Sequence, residues 1–269
     1  MKNRLRIAVL VSGGGTNLQA LMDRMHEGTL KARIVCVGSD RPGAFGLERA
    51  RTARIPTFVV DYSRYRRGEG GLPPMDTALV DQILARQRIL PQGADPVAAR
   101  RRLWGLICAE RELMDRLDAH RPDLVCLAGF MRLLTPHFLD HYNTGGTFRV
   151  INIHPALLPA FPGRHGYRDT FHYGCKWGGV TVHFVDEGED SGPVIAQAVY
   201  PIFDQDDEST VQKRGLHLEY KIYAQVINWI ADGVVHVEPG PGPRPRVRIA
   251  DPNYREIMGS WVESAFRFA

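Results

Sequence analysis

The sequence predicts an α/β protein built on a doubly wound, mostly parallel sheet, with a helical insertion and a short C-terminal extension. Short apolar runs alternate with stretches of helical periodicity through the first half of the chain, the pattern of βαβ units whose strands are covered on both faces. The first run passes directly into a glycine-rich turn and then an amphipathic segment, and such strand-to-helix starts open many α/β sheets.

Five strands are expected in this part, at Arg6–Val11, Ile34–Gly38, Thr57–Val60, Leu124–Leu127 and Val150–Ile153. Helices are expected near Asn17–His26, Gly46–Ala53 and Pro136–Tyr142. The interval from Tyr62 to Pro122 breaks the rhythm with two helical runs, Asp76–Leu90 and Pro96–Leu117. Prolines 91 and 96 separate them, since proline cannot continue a helix and disfavours helix in the residue before it. Asp95 is then the N-cap of the second helix, with Pro96 at its first position. Arg64, Arg66, Arg67 and Arg100 to Arg102 give the interval most of its charge.

Beyond Gly179 two β runs, Val180–Val185 and Val194–Tyr200, flank the acidic turn from Asp186 to Gly192. Their closeness points to antiparallel pairing. A long helix, Ser209–Ala231, follows, with Asp206, Asp207 and Glu208 at its positive end. A tail rich in proline and glycine ends in a short strand, Val247–Ile249, and a terminal helix. The domain is read as residues 1–238, with an insertion at about 66–112 and an extension over 239–269.

A chain of 269 residues with 44% hydrophobic content can bury a full core. Its 34 basic and 30 acidic residues nearly balance at +4, and no one-sign tail marks a nucleic-acid arm. The start, Met1 to Val11, has too brief an apolar run for a signal peptide, and no stretch approaches the roughly 20 apolar residues of a spanning helix. A cytoplasmic protein without a membrane or nucleic-acid partner is expected. The four cysteines lack the C-x-x-C spacing of metal or redox sites, and Cys36 and Cys126 read as core residues.

Ser12-Gly13-Gly14-Gly15-Thr16-Asn17 joins the first strand to the first helix. Glycines allow close backbone approach, and the first N–H groups of a helix point at an anion, so a phosphate fits there. A dinucleotide reading also stands at this point, because Asp40 lies near the place of a ribose-binding acid. Against it, Leu18 stands where G-x-G-x-x-G would have its third glycine.

The fifth strand ends in Asn152-Ile153-His154. Residues two apart in a strand share a face, so Asn152 and His154 converge at the carboxyl end of a parallel strand, where open α/β sheets bind ligands. Asn152 offers an amide donor to a developing oxyanion, and a histidine can carry protons near neutral pH. Asp190, in the glycine-bearing turn, is a plausible acid to orient the imidazole.

With these motifs stand Ala44-Phe45-Gly46-Leu47-Glu48-Arg49-Ala50, Leu127-Ala128-Gly129-Phe130-Met131-Arg132, Asn152 through Pro159, and Val182-His183-Phe184-Val185-Asp186 through Pro193. In this order they resemble the phosphoribosylglycinamide formyltransferases, folate-dependent enzymes of purine biosynthesis with a Rossmann-like fold. The similarity covers most of residues 5–235.

The resemblance implies that Asn152, His154 and Asp190 are catalytic. It implies that Gly15, Thr16 and Asn17 bind the phosphate of glycinamide ribonucleotide, and that Glu219 and His165 contact the same substrate. The donor, 10-formyltetrahydrofolate, would lie along Met131, Arg132, Leu133, Leu134 and the turn from Asp186. Thr181, His183 and Gly129 would shape the site, and no metal is required. The partners are small molecules, a homodimer stays open, and the insertion is read as a dimer-contact helix, a lid over the folate cleft or a neutral surface elaboration. Arg64, Arg66 and Arg67 compete for one further substrate contact. Gly166 and Tyr167 depart from the family's usual residues.

A formyltetrahydrofolate hydrolase shares the Asn-x-His and Asp signature, but usually carries a further domain before the first strand. A tRNA formyltransferase usually carries a basic C-terminal domain, and sugar-nucleotide formyltransferases generally lack this glycine loop. A non-catalytic dinucleotide binder would leave Asn152, His154 and Asp190 unexplained.

Overall fold

The computed structural model describes residues 4–67, 71–91, 93, 95–242 and 244–267. Its centre is a seven-stranded sheet of order β3-β2-β1-β4-β5-β6-β7. The strands β1 (Leu5–Val11), β2 (Ala32–Ser39), β3 (Thr57–Val59), β4 (Leu124–Leu127) and β5 (Val150–His154) run parallel. As the spacing suggested, β6 (Trp177–Phe184) and β7 (Val194–Pro201) are antiparallel to each other, and β6 is antiparallel to β5. This is the doubly wound, mostly parallel sheet read from the sequence.

The strands are apolar on both faces because two cores meet the sheet. Ile7, Val9 and Val11 face a core shared with Leu18 and Leu21 of α1 (Thr16–His26), Leu47 of α2 (Phe45–Thr52), and Leu218, Ile222 and Trp229 of α8 (Glu208–Asp232). Ala8 and Leu10 face the other, with Tyr62 of α3 (Tyr62–Arg67), Leu113 and Leu117 of α5 (Pro96–Asp118), and Phe138 of α6 (Pro136–Tyr142). Tyr223 in α8 donates its hydroxyl to the Leu127 carbonyl at 2.8 Å, fastening that helix to the end of β4.

The two helices read into the interval after Tyr62 are present, but α4 spans Thr77–Arg86 and stops four residues before the expected end. The Gln87 side chain accepts from the backbone N–H groups of Ile89 and Leu90 at 2.8 and 2.7 Å, replacing the carbonyls a continuing helix would offer. Asp76 caps α4 through Leu79 N–H, and Asp95 caps α5 through Ala98 N–H, with Pro96 at the helix start. Pattern reading missed α3 and the short α7 (Gly166–His172).

Residues 239–269 carry β9 (Arg246–Ile249), which pairs antiparallel with β8 (Val235–Glu238), and α9 (Tyr254–Arg267). Trp261 and Ala265 of α9 are buried in the core that holds Trp229, whose indole N–H donates to Asp251 at 2.6 Å.

Glu110 of α5 is completely buried, and its carboxylate accepts from the Thr135 backbone N–H at 2.7 Å and from the Thr135 hydroxyl. Burial pushes its pKa up to about 8, although these hydrogen bonds favour the anion. The folded state therefore holds a proton that the unfolded chain releases above about 4.5, and stability falls as pH rises from there to about 8. Glu110→Gln should remove this slope. Measured by urea unfolding, the variant should gain on its parent by roughly 3–4 kcal/mol between about pH 5 and 8. A difference that stays constant with pH would contradict the assignment.

Candidate active site

Ile151 and Ile153 of β5 point into the core under α8, so Asn152 and His154 open on the other face at the carboxyl end of the strand. The antiparallel register then sets His183 opposite Asn152 and Thr181 opposite His154. Thr181 is buried and acts on the chain after β5. Its hydroxyl donates to the Ala156 carbonyl at 2.8 Å and accepts from Leu158 N–H at 3.1 Å.

Asp190 reaches this cluster from the turn between β6 and β7. Asp186 holds that turn, accepting from Gly188 N–H at 3.1 Å and the Ser191 hydroxyl at 2.6 Å. The Asp190 backbone is left-handed, at φ 49, a conformation that aspartate and asparagine tolerate better than most residues. Its Oδ2 lies 3.2 Å from His154 Nδ1 and accepts from Gly163 N–H at 2.8 Å. Its Oδ1 lies 3.4 Å from Asn152 Nδ2 and 3.6 Å from His183 Nε2.

The proton positions follow from the partners. His154 Nε2 meets the Phe161 carbonyl at 2.9 Å and His183 Nδ1 meets the Phe184 carbonyl at 2.8 Å, and a carbonyl only accepts. Those nitrogens therefore carry protons. His183 Nε2 lies 3.3 Å from the Asn152 amide nitrogen.

Burial pulls the His154 pKa below its ordinary value, outweighing the nearby Asp190 charge and the Phe161 carbonyl, which favour the cation. For Asp190 the balance is reversed. Burial works to raise its pKa, but the His183 contact, the His154 charge and Gly163 N–H hold the carboxyl below the usual range. The resting pair at neutral pH is a carboxylate beside a neutral imidazole, with acceptors in place for the cation that a captured proton would create.

These groups line a cavity of about 320 Å³ at the carboxyl edge of the sheet. It brings together Asn152, His154, Asp190, His183, Gly129, Met131, Arg132, Leu133, Leu134, Asp186, Asn17 and Glu219. Gly15, Thr16, His165 and Thr181 stand outside that lining. His165 is exposed at the start of α7, while its neighbours Arg164 and Tyr167 face the cavity. Neither Arg64 nor Arg66 lines it, and the side chain of Arg67 falls outside the described residues. Arg88 and Ile89 of the insertion do line it, and no local pattern pointed to them.

On the α8 side, Glu219 is fully buried and accepts from Asn17 Nδ2 at 2.5 Å and from the Tyr167 hydroxyl. Burial raises its pKa against both hydrogen bonds. Tyr167 fits because α8 has Gly215 beneath it. A Cβ there would meet the tyrosine ring at 2.1 Å. The glycine loop is thereby joined to the cavity through Asn17.

In that loop Gly15 is required twice over. Its φ is 67, and a Cβ would come within 2.7 Å of the Gly46 Cα. Gly46 N–H donates to the Gly13 carbonyl at 3.0 Å, and Arg49 donates to the Gly14 carbonyl at 2.8 Å. Gly13, Gly14 and Thr16 remain exposed. Asp40 is not available to a ribose: it is buried, accepts from the Ser12 hydroxyl at 2.5 Å and is paired with Arg132 at 2.6 Å. Ser12 in turn accepts from Met131 N–H at 2.8 Å.

A cavity at the carboxyl edge of a parallel sheet, with an imidazole, an amide and a carboxylate converging in it, defines an α/β group-transfer fold. Residues 5–227 match the formyl transferase family, and the chain belongs to that family. The resemblance read from the motifs is borne out. The chain is 37% identical over 229 residues to the phosphoribosylglycinamide formyltransferase of Escherichia coli (strain K12), covering 85% of this chain and 88% of that protein. It is 35% identical to that of Haemophilus influenzae, over 85% of this chain and 88% of the relative. Glycinamide ribonucleotide transformylase 1 from Symbiobacterium toebii superposes with a TM-score of 0.71 at 38% identity, over 92% of this chain and 94% of that one. Among the described residues there is no group of three or more His, Cys, Asp or Glu that could hold a metal ion, and no helix is long and apolar enough to cross a membrane.

By NMR titration His154 should show a midpoint below the ordinary value of about 6.5. In Asp190→Asn it should fall further, since the charge that favours the imidazolium is gone. A midpoint that rises in the variant would contradict this electrostatic account.

Proposed function

We propose that the chain transfers the formyl group of 10-formyltetrahydrofolate to the amine of glycinamide ribonucleotide, a step of de novo purine biosynthesis. The observation that carries this reading is one cavity with two kinds of wall. The Asn152, His154 and Asp190 cluster stands between the segment Met131–Leu134 with the turn 186–190 on one side, and Asn17, Tyr167 and Glu219 on the other.

The first wall suits the donor. Phe130, Met131, Leu133 and Leu134 offer apolar surface to a flat ring, and the adjacent turn offers backbone polar groups. The second suits the acceptor. Glu219 can accept from sugar hydroxyls, and the exposed Gly13 to Thr16 loop at the start of α1 offers a phosphate a helix N-terminus. Gly15, Thr16 and Asn17 are proposed to hold that phosphate.

In the reaction a bond forms between the amine nitrogen and the formyl carbon, and the bond from that carbon to the folate nitrogen breaks. Asn152 stabilises the oxygen that becomes negative on the way, since its amide makes only long contacts, 3.3 and 3.4 Å, that a stronger acceptor can displace. His154 takes the proton that the amine sheds and returns it to the departing nitrogen. The basic nitrogen of the neutral ring is Nδ1, so the captured proton sits beside the Asp190 carboxylate, which holds the charge of the imidazolium, while Nε2–H stays on the Phe161 carbonyl. His183 keeps Asn152 aligned.

Asp190→Asn preserves size and tolerance of the left-handed backbone, so it tests the charge alone. Transfer should drop by about 10²–10⁴-fold, while glycinamide ribonucleotide still binds within about threefold by calorimetry. Unchanged turnover would sink the assignment. In the parent, loss of the formyl donor should depend on added glycinamide ribonucleotide, whereas loss in buffer alone would identify a hydrolase.

A further inference from the structure

The helical insertion has a core of its own. Val80 and Ile83 of α4 pack with Leu103, Trp104 and Ile107 of α5 and with Leu90 of the connection. The Trp104 indole N–H donates to the Pro73 carbonyl at 3.0 Å. This element is docked on the site. Arg86, the last residue of α4, makes a bidentate pair with Asp140 of α6 at 2.8 and 2.9 Å and donates through Nε to Glu187 at 2.9 Å. Glu187 belongs to the turn that carries Asp190.

Immediately beyond, Gln87 fixes the turn 87–90 through the Ile89 and Leu90 amides, and the burial of Leu90 anchors its far end. Arg88 and Ile89 thereby become part of the cavity wall. Several charges on this side of the cavity are already committed. Arg86 takes Asp140 and Glu187, Asp186 is used inside its turn, and Arg132 is held by Asp40 under the Tyr62 ring. Arg88 is exposed and, among the described residues, has no ion-pair partner.

We infer that the insertion forms the outer wall of the donor subsite, and that Arg88 is a specificity residue for the anionic end of the donor, the carboxylates of a folate's glutamate tail. The inference rests on the function proposed above. Two features assign Arg88 to the donor and not to the phosphorylated acceptor. It arrives beside the turn 186–190, on the Met131–Leu134 side, whereas Asn17, Tyr167 and Glu219 mark the acceptor wall. The turn is also acidic, with Asp186, Glu187 and Glu189 on the cavity. An anionic tail beside these carboxylates needs an uncommitted cation, and a guanidinium meets a carboxylate with two parallel hydrogen bonds.

The test compares tetrahydrofolate with an analogue whose glutamate is replaced by a neutral amide, each titrated calorimetrically into the full-length parent, Arg88→Ala and Arg88→Lys. The parent should prefer the charged tail by about fivefold. Arg88→Ala should lose that preference with the thermal midpoint unchanged, and Arg88→Lys should keep part of it. In turnover, KM for 10-formyltetrahydrofolate should rise about fivefold in Arg88→Ala, with KM for glycinamide ribonucleotide within about twofold of the parent. A parent indifferent to the tail, an Arg88→Ala variant that keeps the preference, or a shift confined to the nucleotide would each overturn the inference. Failure of the underlying reading shows differently, as a parent without amine-dependent transfer.

Discussion

The carboxylate of Asp190 meets His154 with one oxygen and Asn152 and His183 with the other, while Gly163 N–H closes the first oxygen from outside. Much of the architecture serves to bring that group there. Two antiparallel strands must follow five parallel ones, because only β6 laid against β5 puts His183 beside Asn152 and returns the turn 186–190 over the end of β5. Inside the turn, Asp186 binds Ser191 and Gly188, so Asp190 can hold a left-handed backbone that an unsupported loop would relax.

The opposite wall depends on a buried acid of a different kind. Glu219 links the glycine loop, through Asn17, with α7, through Tyr167, and both meet α8 where Gly215 leaves room. Burial raises this carboxyl, whereas contacts with the histidines and Gly163 N–H lower Asp190. Two carboxyl groups bordering one cavity are thus held with opposite proton affinities. Environment alone sets the two apart.

Asp40 shows how the same sheet excludes a neighbouring chemistry. At the end of β2 a free carboxylate could serve a dinucleotide ribose, yet here Ser12 and Arg132 occupy both of its oxygens. Those contacts tie the glycine loop to the segment after β4, since Ser12 also accepts from Met131 N–H. The acid has become a brace between the two walls of the cavity.

Much of this was legible in the chain itself. Apolar runs and helical periods marked the parallel strands, because both report only on local burial. Asn152 and His154 could be paired from a two-residue spacing, and Asp95 with Pro96 marked a helix start, for the same local reason. The length of α4 was misjudged because the Gln87 side chain turned back on its own backbone, a competition that hydrophobic period does not encode. Arg88 and Ile89 were missed as part of the cavity wall, because reaching the cavity depends on where a docked insertion places a loop. Sequence alone determined the sheet, the family motifs and the convergence of Asn152 with His154. Tertiary structure decided the partners of those residues: Asp40 with Arg132, Glu219 with Asn17 and Tyr167, and Arg86 with Glu187. These contacts join residues from 52 to 202 positions apart, and only the packed sheet and helices bring them within a hydrogen bond.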